Sequence, residues 1–125
     1  MKSKYIILAF GFFLLLFSNP VFSQKKVLTD EEQVQEAVTQ EIDTLFKSKD
    51  FLKQKNKKFA DAKGTVTIDV GVVQNGKVST FFKVDDDIKK PLFINFISDY
   101  ILEHKFYFKL QKQQRYKIRY TAIFN

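Results

Sequence analysis

The run from Gly64 to Val84, GTVTIDVGVVQNGKVSTFFKV, constrains the fold more than any other part of the chain. Val66, Ile68, Val70 and Val72 recur at every second position, Asn75-Gly76 supplies turn chemistry, and a second alternating run begins at Val78. Successive side chains of a strand point to opposite faces, so this pattern predicts an antiparallel β-hairpin with one buried face.

Its register can be argued from the same residues. A two-residue Asn75-Gly76 turn would put Val66, Ile68, Val70 and Val72 on one face with Lys83 and Asp85. A three-residue loop, Gln74-Asn75-Gly76, with Gly76 in the left-handed region, instead aligns Val72 with Val78, Ile68 with Phe82 and Val66 with Val84. The second arrangement makes one face apolar apart from Thr80, and it is the expected one.

On the N-terminal side, Thr29-Asp30-Glu31-Glu32 has the form of a helix start, with Thr29 as N-cap and Glu32 completing a capping box. Val34, Ala37, Val38, Ile42, Leu45 and Phe46 follow at helical spacing. Acidic residues gather at the start and lysines at the end, an order that complements the helix dipole and accounts for the charges without a metal site. From Lys47 to Lys63 the pattern loosens into a lysine-rich stretch with Phe51, Leu52 and Phe59 as its apolar residues. It reads as a helical continuation or a basic connector, with its lysines in solvent.

After the hairpin, Asp85-Asp86-Asp87 lacks the ligand spacing of a calcium loop, so Asp87 or a neighbour is expected to cap the next helix. That helix runs from about Pro91 to His104, with Leu92, Phe93, Phe96, Ile97, Tyr100 and Ile101 as the stripe that covers the hairpin. His104, the one histidine, ends it, where a cation meets the dipole favourably. Phe106 to Leu110 reads as extended. Arg115 to Phe124 alternates again, with Tyr116, Ile118, Tyr120, Ala122 and Phe124 on one side and Arg115, Lys117, Arg119 and Thr121 on the other. The expected fold is α+β: an N-terminal helix followed by a β-β-α-β unit whose antiparallel sheet carries a helix on one face.

These residues resemble the C-terminal domain of TonB-type energy transducers over about the last half of the chain, Gly64 to Phe124. Gly64-Thr65-Val66 leading to Asn75-Gly76-Lys77-Val78 is similar to that family's opening hairpin. Pro91-Leu92 starts the helix as its Asn-Pro-Leu does, and His104-Lys105-Phe106 stands where it has Trp-Lys-Phe. The chain departs from the pattern in that Trp, in the proline usual shortly after the Phe, where Phe108 stands, and in having no Pro-rich spacer. The resemblance therefore implies a fold, an envelope location and docking of an extended segment at a sheet edge, an outer-membrane protein being one such partner. It does not imply force transmission.

The N-terminus agrees with that location. Lys2 and Lys4, an apolar run of about 13 residues from Tyr5 to Phe17, and Ser18-Asn19-Pro20 before Ser23 form a secretory signal with cleavage expected after Ser23. The run is shorter than a membrane span needs. The division expected is 1–23 signal, 24–63 helix and Lys-rich connector, and 64–125 TonB C-terminal-like domain, in a periplasmic or secreted protein. Membrane contact after cleavage is at most peripheral. With no cysteine the mature chain has no disulfide, and the 10 Phe that follow Ser23, of 15 in the whole sequence, must supply much of the packing. Net charge is +7, or +5 without Lys2 and Lys4, which serves solubility first. No nucleic-acid motif accompanies it.

One histidine, no cysteine and no Gly-rich phosphate loop leave nucleophilic, zinc and nucleotide chemistry without their usual parts. A non-enzymatic binding module with no cofactor or metal is expected. Its protein-binding residues are Arg115, Tyr116, Lys117, Ile118, Arg119 and Tyr120, because the last strand is the best candidate free edge and an unpaired edge accepts a further strand. The same edge could pair two copies into a homodimer. A second reading is an envelope-associated structural protein that meets anionic surfaces through its Lys-rich segment.

Overall fold

In the computed structural model, which describes residues 25–125, an antiparallel sheet of three strands carries three helices on one face. The elements are β1 (Lys26–Leu28), α1 (Glu31–Lys47), α2 (Lys49–Lys58), β2 (Gly64–Val72), β3 (Val78–Asp86), α3 (Pro91–Glu103), β4 (Phe108–Leu110) and β5 (Tyr116–Phe124). The sheet has the order β3-β2-β5, and β1 pairs separately and in parallel with β4. This is the α+β class expected. The signal and its cleavage site lie outside the described residues.

The start of α1 is one residue later than expected. Asp30, in extended backbone, is the N-cap and accepts from Gln33 N–H at 2.9 Å, while Gln33 reaches back to accept from Thr29 N–H at 3.1 Å. Gln33 thus fills the role expected of Glu32. Val34, Val38, Ile42 and Phe46, four residues apart, are the buried stripe, with Ala37 and Leu45 at its margins. Ser48 ends α1 and opens α2: its Oγ donates to Leu45 O at 2.8 Å and accepts from Phe51 N–H at 3.2 Å. The lysine-rich stretch is therefore a second helix. Phe51 anchors it, fully buried against Phe46, Phe96 and Tyr100 with ring centroids 4.8, 5.4 and 5.1 Å away.

The hairpin loop is Gln74-Asn75-Gly76, as expected. Val73 N–H donates to Lys77 O at 3.0 Å, Gly76 has φ +85°, and Val72 lies opposite Val78. Beyond that pair the expected register fails. A bulge at Ser79 makes Gly71 face Thr80 and Ile68 face Lys83 instead of Phe82, and another at Val84 makes Val66 face Asp86. Each extra residue reverses the side to which the following side chains point. Phe82 and Val84 turn outward, 61% and 43% exposed, and Phe81 packs partly into the core in their place. Gly71 allows the first bulge, since a Cβ there would lie 2.2 Å from Thr80 Oγ1.

The second bulge carries buried Asp86 to the start of α3, where it accepts from Lys89 N–H at 2.7 Å and pairs with Lys83 at 2.9 Å. Asp87 does not cap the helix: Lys90 occupies the cap position without a side-chain bond, and Asp87 accepts from Thr65 N–H at 2.7 Å. In α3 the buried residues are Phe93, Ile94, Ile97 and Ile101. Leu92, expected in the stripe, is 72% exposed, because the buried set Phe93, Ile94, Ile97 and Ile101 centres on the far side of the helix from it.

The chain then crosses the hairpin tip. Phe106 N–H donates to Gly76 O and Leu110 N–H to Gln74 O, both at 2.9 Å, so the expected extended segment is held by loop carbonyls and by β1. His104 closes α3, its N–H on Ile101 O, and its ring Nε2 lies 2.9 Å from Glu41 on α1. Glu41 also accepts from Tyr107 N–H. The histidine thus sits at the helix end as expected, and its ring ties α3 to α1.

Candidate docking edge and groove

The direction of each backbone group of β5 follows from the hairpin. Along a strand, alternate residues send both N–H and C=O to the same neighbour. Val73 N–H points to β3, as do Gly71 O, which accepts from Ser79, and Thr65 O, which accepts from Asp87 N–H. Odd-numbered residues of β2 therefore bond β3, and even-numbered ones bond β5. The β2–β5 register runs one to one from Gly64↔Phe124 to Val72↔Tyr116 without a bulge. Tyr116, Ile118, Tyr120, Ala122 and Phe124 consequently spend their backbone groups on β2, while those of Lys117, Arg119, Thr121 and Ile123 point away from the sheet. Gln35 confirms the direction, since its side-chain amide reaches Arg119 O from outside at 3.1 Å.

The sheet's two edges differ. β3 is kinked by two bulges, a device that spoils an edge for further pairing. β5 is nine residues of regular strand whose outer ladder, among the described residues, is met only by Gln35 at Arg119.

The six residues expected to bind a partner do not act alike. Ile118 and Tyr120 are buried core residues, and Tyr116 is half-buried at the core margin. The Tyr120 hydroxyl donates to Asp43 on α1, and burial first, then Asp43, pushes its ionisation upward. Arg119 is committed to Asp69 by hydrogen bonds of 2.9 and 3.1 Å on the sheet's uncovered face. Arg115 and Lys117 remain as exposed cations.

Beside the C-terminal half of this edge runs a groove of about 470 Å³. Phe46, Lys47, Leu52 and Lys55 form its helical wall, and Thr121 and Ile123 bring the outward backbone groups to its other side. Sequence reading placed Lys55 among solvated lysines, yet it is only 5% exposed. Its spacing of four from both Phe51 and Phe59 was the available signal, once the stretch is taken as a helix.

Comparison with protein families, with curated proteins and with solved structures returns no match. The site therefore rests on its own geometry. Among the described residues no group of His, Asp or Glu is placed to hold a metal ion, and no helix is long and apolar enough to cross a membrane.

Proposed function

We propose that this protein is an exported, non-enzymatic binding module that docks an extended segment of another protein as a fourth strand on β5. The observation that carries this is the bulge-free outward ladder of Lys117, Arg119, Thr121 and Ile123, met only by Gln35 at Arg119 among the described residues, beside the groove. Main-chain hydrogen bonds along such an edge supply affinity, and pockets for alternate side chains supply selectivity. Export rests on the signal-like N-terminus. The resemblance of Gly64 to Phe124 to TonB C-terminal domains is in keeping with edge docking and with an outer-membrane protein as partner.

The test is a photo-crosslinking residue at Thr121 or Ile123, used in cells with an intact envelope, with the adduct mapped by mass spectrometry. A single extended segment crosslinked at both positions, and lost in Thr121→Pro, is the expected result. Thr121 N–H points outward, so proline there removes a docking donor without breaking the β2 ladder. Equal capture by the folded proline variant rejects edge docking.

A second reading has its own observation. Lys49, Lys53 and Lys57 form an exposed stripe at four-residue spacing on α2, with half-exposed Leu52 beside it. Such a stripe suits an anionic surface. Vesicle binding that falls steeply with salt would favour it, and no binding at low salt would eliminate it.

A further inference from the structure

Lys55 is the unusual member of the groove wall. Its side chain is nine-tenths buried, its ammonium stands 5.9 Å from the centre of the Phe93 ring, and among the described residues it pairs with no carboxylate. Asp61, whose carboxyl Lys90 holds below the usual range, is bonded to that lysine at 3.0 Å. Asp43, the acidic side chain on the groove wall, takes the Tyr120 hydroxyl. With its stem buried and, among the described residues, no ion pair of its own, this ammonium is available to a carboxylate entering the groove.

The remaining charges favour the same visitor. Lys47 stands on the rim, Arg115 and Lys117 stand exposed on the approach to and along the edge, and Asp69 neutralises Arg119. Strand geometry fixes where a visiting carboxylate must sit. In a segment added to β5, residues level with Tyr120, Ala122 and Phe124 point to the helical side, where Lys55 lies, and their neighbours point to the uncovered face.

We propose that the β5 groove selects extended protein segments bearing Asp or Glu at alternate positions, with Lys55 receiving the carboxylate. This rests on the edge-docking reading and names the chemistry of its partner. A C-terminal carboxylate would meet Lys55 only at one end of the segment. A side-chain carboxylate suits a groove that runs along the edge.

Three synthetic decapeptides test it by fluorescence anisotropy on the purified protein: one alternating Thr and Glu, one alternating Thr and Gln, and one with the same Thr and Glu content in pairs. The alternating Glu peptide should bind about 10-fold more tightly than the Gln peptide, the range of one charge-assisted contact, and the paired peptide, with about half as many carboxylates on the helical side, should fall between them. Lys55→Met, which keeps the length and apolar stem, should abolish that preference, and Lys55→Arg should retain it. Thermal melts of both variants establish that they are folded.

Equal binding of the Glu and Gln peptides, with both lost in Thr121→Pro, leaves edge docking standing and overturns acidic selection. Preference that survives in folded Lys55→Met overturns the role of Lys55. Binding of the Glu peptide that is indifferent to Thr121→Pro overturns the docking reading and this inference with it. Failure of the alternating Glu peptide to bind overturns acidic selection.

Discussion

Asp69 and Arg119 stand directly opposite one another on β2 and β5, joined by two parallel hydrogen bonds on the face that no helix covers. The carboxylate is largely buried and the guanidinium largely in solvent, 10% and 63% exposed. Hydrogen bonding from Arg119 holds the Asp69 carboxyl below its usual range, against burial, which alone would raise it. The unfolded chain therefore takes up that proton first. The pair's contribution is fully present above the unfolded pKa of about 4 and is lost as pH falls through the lower folded value. Unfolding free energy should decline with acid below about pH 4, and Asp69→Asn should flatten part of that decline. Asp86, held low first by Lys89 N–H and then by Lys83, and Asp61, held low by Lys90, keep a part of it. Denaturation curves across that range check this, and an unaltered acid limb in Asp69→Asn would show that the pair adds no pH-dependent stability.

Gly76 is fixed by conformation and by space together. Its φ of +85° disfavours any L side chain, and a Cβ there would lie 2.5 Å from Phe108 O and 2.9 Å from Phe106 O. Backbone atoms cannot step aside as a flexible side chain can. Gly76→Ala should destabilise by about 2 kcal/mol or more, from strain added to displacement of the segment that crosses the hairpin tip. Asn75→Ala should cost less, about 1 kcal/mol, because it removes only the bond from Lys77 N–H to Asn75 Oδ1 in an exposed loop. Urea midpoints for both variants give the comparison, and equal losses would show that the close approach does not matter.

Phe51 joins α2 to the rest of the core. Phe51→Ala should cost about 3–5 kcal/mol, because the cavity opens among Phe46, Phe96, Tyr100 and Phe124. Leu52→Ala, at a half-exposed neighbour, should cost less than about 1 kcal/mol. Chemical denaturation distinguishes them. Similar small losses would mean that α2 is not held through Phe51.

Those residues also show what could be read from the chain alone. The α1 stripe, the hairpin loop and the inward set of β5 were legible because each rests on a period that local geometry enforces. The register of β3 was not, since the bulges at Ser79 and Val84 arise from Thr80 packing over Gly71 and from Asp86 turning the chain into α3. A period-two pattern records neither event. β1 has only three residues and takes its strand form from β4, so it carries no periodic signal. Among the edge residues, alternation placed Ile118 and Tyr120 inward correctly. It could not show that Arg119 is spent on Asp69, or that Lys55 reaches the groove from a helix that looked like solvated lysine.

The alternation of backbone direction along β5 makes a prediction that depends on no partner. Amides of Ile118, Tyr120 and Ala122 donate to β2 and should exchange slowly with solvent, whereas those of Lys117, Thr121 and Ile123 point outward and should exchange faster by orders of magnitude. Arg119 belongs with the fast set, since Gln35 takes its carbonyl and leaves its N–H free. Proline scanning should follow the same parity. Thr121→Pro should cost about 1 kcal/mol or less, while Tyr120→Pro removes a ladder bond and a buried ring and should prevent stable folding. Residue-resolved hydrogen exchange by NMR decides the matter. Slow exchange at Thr121 and Ile123 in the isolated monomer would mean that another part of the chain covers this edge, and a fourth strand could then dock only by displacing it.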